Sequence, residues 1–536
     1  NLTSVINNSD AYADGMFNGC SVSDLTIGGT MVPNNMASNI GVWNSLKRLI
    51  LTDKVNTIGD SAFSGCSGLT SIELPSSVTT IGEFAFSDCA GLTSIELPSS
   101  VTTIGHVAFR GCTGITSIEI PSSVKTIGDS AFSDCTGLTS VEIPSSVTTI
   151  GENVFSDCTN LTSVIYNSDA YALHIFSGCQ VSDLTIGGCA LPKGIAHYIG
   201  VRESLKRLTL VGNVTTIGEM AFHGCTSLTS VELPSSITTI GQSAFYDCAA
   251  LTSIEIPSSV TTIGEMAFQN CTGLTSVEIS NSLTEIYSQV FYNCTGLTSV
   301  AIPSSVTRIG TSAFGKCTGL TSLEFPSSVT IIGDHAFQDC TGLTSIELPG
   351  SVASIGEMAF SGCTGLTSIE LPGSVASIGE FAFDGCTGLT SIEIPNSVTA
   401  IGRCVFLHCS NLTSVIYNSD AYAEGLFHNC QVTDVTFGGT TVPNKVADTL
   451  FSYYNKNSLK NITFTDNVSS IGEQAFEGCG NIETISFASV TPPEANQNEF
   501  SELWRSARIV VPGDALTTYL DSAPYNRFYK WGTVEE

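Results

Sequence analysis

The sequence predicts a β-rich, right-handed solenoid of about 21 coils with a small C-terminal cap, because a 23-residue unit recurs over residues 1–487. Three observations carry this expectation. Cysteine marks a fixed beat, every 23 residues from Cys66 through Cys158 and again from Cys225 through Cys409. The string "SVTTIGEFAFSDCAGLTSIELPS" at residues 77–99 starts again at Ser100 with few changes. Each copy holds two short β-branched runs separated by glycine or proline, and a set of apolar side chains too small to form a core alone.

Within one unit, Leu92-Thr93-Ser94-Ile95-Glu96-Leu97 reads LxxLxL. Alternation points Ile95 and Leu97 inward and Ser94 and Glu96 outward, and Pro98 ends the strand. The period and this pattern fall in the range of leucine-rich repeats. Val101-Thr102-Thr103-Ile104 forms a second extended piece closed by Gly105, and a tight turn then leads through Ala108-Phe109 to Cys112. Leu92, Ile95, Leu97, Val101, Ile104, Phe109 and Cys112 turn inward, where only neighbouring coils can cover them. Each large apolar side chain so buried contributes roughly 1.5–3 kcal/mol.

The solenoid occupies residues 1–487, with irregular, longer units near 1–52, 160–210 and 411–466, and a capping segment follows at 488–536. The irregular units open with "NLTSVINNSDAY" at Asn1 and "NLTSVIYNSDAY" at Asn160 and Asn411. Their spacings, 159 and 251 residues, differ by four 23-residue units, as duplication followed by gain or loss of whole coils would leave them. In the cap, "VTPPEANQNEF" reads as a link and "ARIVVP" as a last strand. Arg505, Arg508, Arg527 and Lys530 read as salt bridges and solvation around that cap, with a basic patch as the alternative.

The repeated unit closely resembles that of the BspA-like leucine-rich-repeat family, whose copies look like "xLTSIxIPxSVTxIGxxAFxxC". The closing "IVVPGDALTTYLDSAPYNRFYKW" is similar to the C-terminal segment of surface proteins from gut and oral anaerobic bacteria. The resemblance implies a secreted or surface-attached adhesion protein, of a kind usually without assigned enzymatic activity. One departure stands out: Ser100 occupies the place where common leucine-rich repeats carry an asparagine.

With 49 acidic and 19 basic residues, the chain has a net charge of −30, which disfavours nucleic acid and anionic membranes as partners. No stretch approaches the roughly 20 apolar residues of a membrane helix. The chain starts inside a repeat without an initiating Met, so a secretion signal or anchor is expected outside it, and a secreted or cell-surface monomer is the expected form.

Catalytic chemistry is not expected. The seven histidines share no position in the repeat, and the Gly28, Gly187 and Gly438 pairs lack the lysine of a phosphate loop. The 23-residue cysteine ladder lacks zinc-site spacing and reads as buried free thiols; Cys189 and Cys404, off the beat, are the candidates for exposure or pairing.

The candidate ligand-binding face is the outward row of Glu73, Glu96, Glu119, Glu142, Glu232, Glu255, Glu278, Glu324, Glu347, Glu370 and Glu393, interrupted by Ala301. Flanking hydroxyls such as Thr93, Ser94, Thr102 and Thr103 add hydrogen-bonding capacity, and calcium on the carboxylates is a further option. Tyr12, Tyr171 and Tyr422 are weaker candidates for stacking on sugars, against a packing role in the irregular coils. The expected function is adhesion to a host or matrix protein. A carbohydrate-binding module and a structural spacer are the alternatives.

Overall fold

The structure is a computed structural model in which residues 2–451, 455–496, 498–500 and 502–534 are described. The chain makes about 23 turns of a parallel β-solenoid with little helix. It divides into two compact units, Asn1–Thr262 and Ile263–Glu536.

A regular coil is built as its sequence dictates. Ser140–Ile143 is a strand whose residues alternate between exposed and buried, and it pairs in parallel with Ile118–Glu119 before it and Ser163–Tyr166 after it. The two-residue strand Thr126–Ile127 pairs with Thr103–Ile104 and Thr149–Ile150, forming a second parallel sheet. All seven inward positions of the unit from Leu92 to Cys112 are 9% exposed or less.

The corner between the two sheets holds the phenylalanines. In the first unit Phe63, Phe86, Phe109, Phe132, Phe155 and Phe176 stack with ring centroids 5.3–5.8 Å apart. The second unit repeats the device; Phe360, for example, lies 5.4 Å from Phe337 and 5.3 Å from Phe383. Beside each ring, cysteine donates back one coil: Cys89 Sγ to the Phe63 carbonyl and Cys112 Sγ to that of Phe86, both at 3.2 Å. All 20 cysteines are free thiols, with Cys189 exposed, Cys20 and Cys404 half-buried and the others buried.

Glycine follows the second strand because coils touch there. A Cβ on Gly105 would lie 2.6 Å from the Gly82 carbonyl carbon, and one on Gly128 would lie 2.5 Å from the His106 nitrogen. Serine does the work that an asparagine ladder would do: Ser100 Oγ donates to the Val78 carbonyl at 2.6 Å and Ser123 Oγ to that of Val101 at 2.7 Å.

The irregular units alternate short and long coils. Ser4, Ser163 and Ser414 pair with Asp24, Asp183 and Asp434, a step of 20 residues. The next steps, Asp24 to Arg48 and Asp183 to Arg207, take 24 residues, and Asp434 to Asn461 takes 27. The longer coils hold the one-turn helices α1 (Met36–Ile40), α2 (Ile195–Ile199) and α3 (Val446–Leu450). Gly41 and Gly200 end the first two at φ 81° and 87°, a conformation that glycine adopts without a Cβ penalty.

The C-terminal segment continues the sheet. Arg508–Pro512 pairs in parallel with Thr484–Phe487, and a further strand, Lys530–Val534, pairs with Arg508–Pro512. These strands raise the coil count above the expected 21. Between them, helix α4 (Leu516–Leu520) and the aromatic rings of Phe487, Phe500, Tyr519, Tyr525 and Phe528 close the core. The Tyr519 and Tyr525 hydroxyls donate to the Ser489 and Pro493 carbonyls at 3.0 and 2.8 Å.

Candidate functional site

Because the LxxLxL strands pair in register, the residue between the last two leucine positions of each coil faces solvent beside its counterparts. All eleven candidate glutamates are exposed. In the first unit Glu119 lies in register with Glu142. In the second, bridges run from Glu278 through Ala301 and Glu324 to Glu347, which pairs with Glu370. The carboxylates therefore stand one per coil at the ~4.8 Å spacing of neighbouring strands.

The acidic runs that reach Glu142 and Glu393 end in the same way. Glu142 is followed in register by Ile165 and Glu393 by Ile416, and these isoleucines are 39% and 38% exposed. Asn167 Nδ2 donates to Glu142 Oε1 at 3.0 Å and Asn418 Nδ2 to Glu393 Oε1 at 2.9 Å. In the first unit a groove of about 500 Å³ runs over Glu119, Glu142 and Ile165 between Pro121 and Pro144. Sequence reasoning noted the "NLTSVI" repeat but missed that its isoleucine takes the outward glutamate position. The signal was present, since Ile165 and Ile416 fill the x of LxxLx.

The flanking threonines are less available than expected. Thr102 Oγ1 donates to the Thr79 carbonyl at 3.2 Å and Thr139 Oγ1 to that of Thr116 at 3.5 Å, so these hydroxyl protons serve the adjacent coil. The "NSDAY" tyrosines are half-buried. Tyr171 stacks on Tyr166 with centroids 5.1 Å apart, and Tyr422 on Tyr417 at 4.9 Å, leaving those ring faces covered. Burial pushes the Tyr171 hydroxyl up to about 12, with Asp169 adding to the effect; Tyr12 is raised for the same reason, with Asp10 as its neighbour. Tyr422 Oη instead donates to the Thr441 carbonyl at 3.2 Å.

Two histidines meet aspartates one coil away, His408 Nδ1 3.0 Å from Asp384 Oδ1 and His106 Nδ1 3.1 Å from Asp129 Oδ2, while His335 Nδ1 lies 3.0 Å from Gln338 Oε1 in its own coil. Among the described residues no three His, Cys, Asp or Glu side chains converge on a site able to hold a metal ion. One carboxylate per coil falls short of the six to eight oxygens that calcium takes. Burial raises the ladder thiols, Cys66, Cys112 and Cys363 to about 12, away from the range of a reactive thiolate.

Parallel coils of about 23 residues with LxxLxL strands on one face define a leucine-rich-repeat protein. The chain belongs to the BspA-type leucine-rich-repeat family, matching it over residues 34–162, 79–189, 194–321, 307–433 and 423–527 under the description "BspA type Leucine rich repeat region (6 copies)". It is similar to a leucine-rich repeat protein from Bacteroides ovatus, with 33% identity over 69% of this chain and 86% of that one and a TM-score of 0.40. A leucine rich cell surface protein from Faecalibacterium prausnitzii shares 31% identity over 55% of this chain and 84% of that one, with a TM-score of 0.35. No curated protein matches the chain. Among the described residues no helix is long and apolar enough to cross a membrane.

Proposed function

We propose that the chain is a secreted or cell-surface ligand-capture protein whose acidic strand face binds a cationic host or matrix protein. Leucine-rich-repeat solenoids are typically non-enzymatic interaction scaffolds. The observation that carries the reading is the registered row of exposed carboxylates, Glu324–Glu347–Glu370 in the second unit and Glu119–Glu142 in the first. Like charges held side by side repel, and a cationic partner relieves that repulsion at every coil it spans. Many weak contacts then sum to a firm attachment. The exposed Ile165 and Ile416 add an apolar contact where each row ends.

The test is an array of immobilised matrix proteins and glycans, read at low and high salt and with calcium or chelator, using the intact chain and a Glu324→Gln/Glu347→Gln/Glu370→Gln variant. A protein hit that weakens with salt and in the variant supports the reading. A glycan hit lost only on changing Tyr171 and Tyr422 favours the carbohydrate module, and silence across the array favours the spacer.

A further inference from the structure

Several bases in this chain sit beside acids one coil away. Arg48 pairs with Asp24 at 2.7 Å, Arg308 with Glu285 at 3.2 Å and Arg403 with Glu380 at 3.4 Å. With 49 acids to 19 bases that is what composition alone would produce. The C-terminal segment instead sets two bases side by side. Arg508 stands in direct register with Lys530, both exposed on the outward side of the sheet, and neither has an ion pair among the described residues. Among the described residues Lys530 Nζ donates to the Ser506 carbonyl alone, at 3.1 Å. The corresponding column at Arg48 and Arg207 begins with an aspartate one coil earlier, Asp24 and Asp183, whereas Arg508 is preceded by Thr484.

Arg508 and Lys530 line a recess of about 590 Å³ together with Lys460, Glu483, Asn481 and Ser506. Lys460 Nζ lies 3.4 Å from Glu483 Oε1, so one of the three bases is compensated and the recess keeps two positive charges. Tyr529, next in the chain to Lys530 though outside the recess lining, is 72% exposed, with the Arg505 guanidinium 5.9 Å from its ring centre. Two uncompensated cations, hydrogen-bonding side chains and an exposed aromatic ring suit an oxyanion carried on a sugar.

We propose that this recess is a binding site for a single carboxylate or sulfate ester on a glycan, with Arg508 and Lys530 holding the anion. A long polyanion would meet the repulsion of a chain with net charge −30. A lone anionic group would not, because charges more than about 8 Å away are screened at physiological salt. The site lies on the same outward sheet face as Glu393 but five strands beyond it and uses none of the acidic row's residues, so either can fail without the other.

Calorimetric titration of the intact chain with inorganic sulfate, lactose 3′-sulfate and neutral lactose at physiological ionic strength tests this. The expected result is saturable binding of sulfated lactose, tighter than that of inorganic sulfate, absent for lactose, and weakened at least ten-fold in Arg508→Gln and in Lys530→Gln but not in the paired control Arg403→Gln. Equal affinities for inorganic sulfate and sulfated lactose would overturn the glycan assignment. Absence of saturable binding, or equal weakening in Arg403→Gln, would overturn the site. A second readout covers folding: in anion-free, low-salt buffer Arg508→Gln should melt no lower than the parent chain, and sulfate should raise the melting temperature of the parent more than that of the variant. A lower melting temperature for Arg508→Gln in that buffer would show that the cation pair is not under repulsion and would sink the proposal.

Discussion

Neutralising one rung of the acidic row should stabilise the protein, by an amount that salt erases. Glu347 has register neighbours on both sides, Glu324 and Glu370. At the ~4.8 Å strand spacing two unit charges in water repel by about 0.9 kcal/mol. The carboxylates are exposed, so the aqueous value applies, and splayed side chains make it a ceiling. Two neighbours give about 1.5 kcal/mol at 10 mM salt, about 1 kcal/mol at 0.15 M, where the screening length is ~8 Å, and under about 0.5 kcal/mol at 1 M. Glu347→Gln keeps shape and hydrogen bonding while removing the charge. Urea unfolding followed by circular dichroism at the three salt concentrations should therefore show a higher midpoint for the variant at low salt, converging with the parent at high salt. The same variant should bind the partner of the acidic face more weakly. A midpoint that falls, or a gain indifferent to salt, would refute the view that the row stores repulsion.

Three further outcomes follow from the core and the ladders. Phe360→Ala removes a fully buried ring stacked on both sides and should cost about 3–5 kcal/mol in denaturant unfolding, with hydrogen exchange quickening first in the neighbouring coils. Ser100→Ala should cost about 1–2 kcal/mol, since it strips the Val78 carbonyl of its donor; a melting temperature equal to that of the parent would count against the serine ladder. Alkali should destabilise the fold. The Cys66, Cys112 and Cys363 thiols are raised by burial to about 12 from an ordinary 9, so their contribution is intact below pH 9 and is lost as the pH climbs towards 12; thermal melts across that window should show the decline, while a thiol reagent at pH 8 labels Cys189 before any ladder thiol.

How much of this was legible in the sequence depends on repetition. Phe109, Cys112 and Ile104 could be placed inward because each has many copies at the same offset, and alternation in LxxLxL set Glu96 outward without any structural input. The short 20-residue coils were hidden because no cysteine beat crosses them at constant spacing. Thr102 looked like an open hydroxyl because composition does not reveal the Thr79 carbonyl lying one coil away. The strand Lys530–Val534 lacks the apolar alternation of the repeats and contains Gly532, so the register that sets Lys530 against Arg508 emerged only from the folded chain.

The side-chain donors of the ladder share a direction. Ser100 reaches back to Val78, Thr102 to Thr79 and Cys112 to Phe86, each supplying a carbonyl in the coil made before it. A chain that emerges N-terminus first, from a ribosome or through a secretion pore, can thus finish every coil as the next one arrives, leaving a single raw edge that moves with the point of exit. The polarity of these bonds suits the protein to vectorial folding, in which no coil waits for a distant part of the chain.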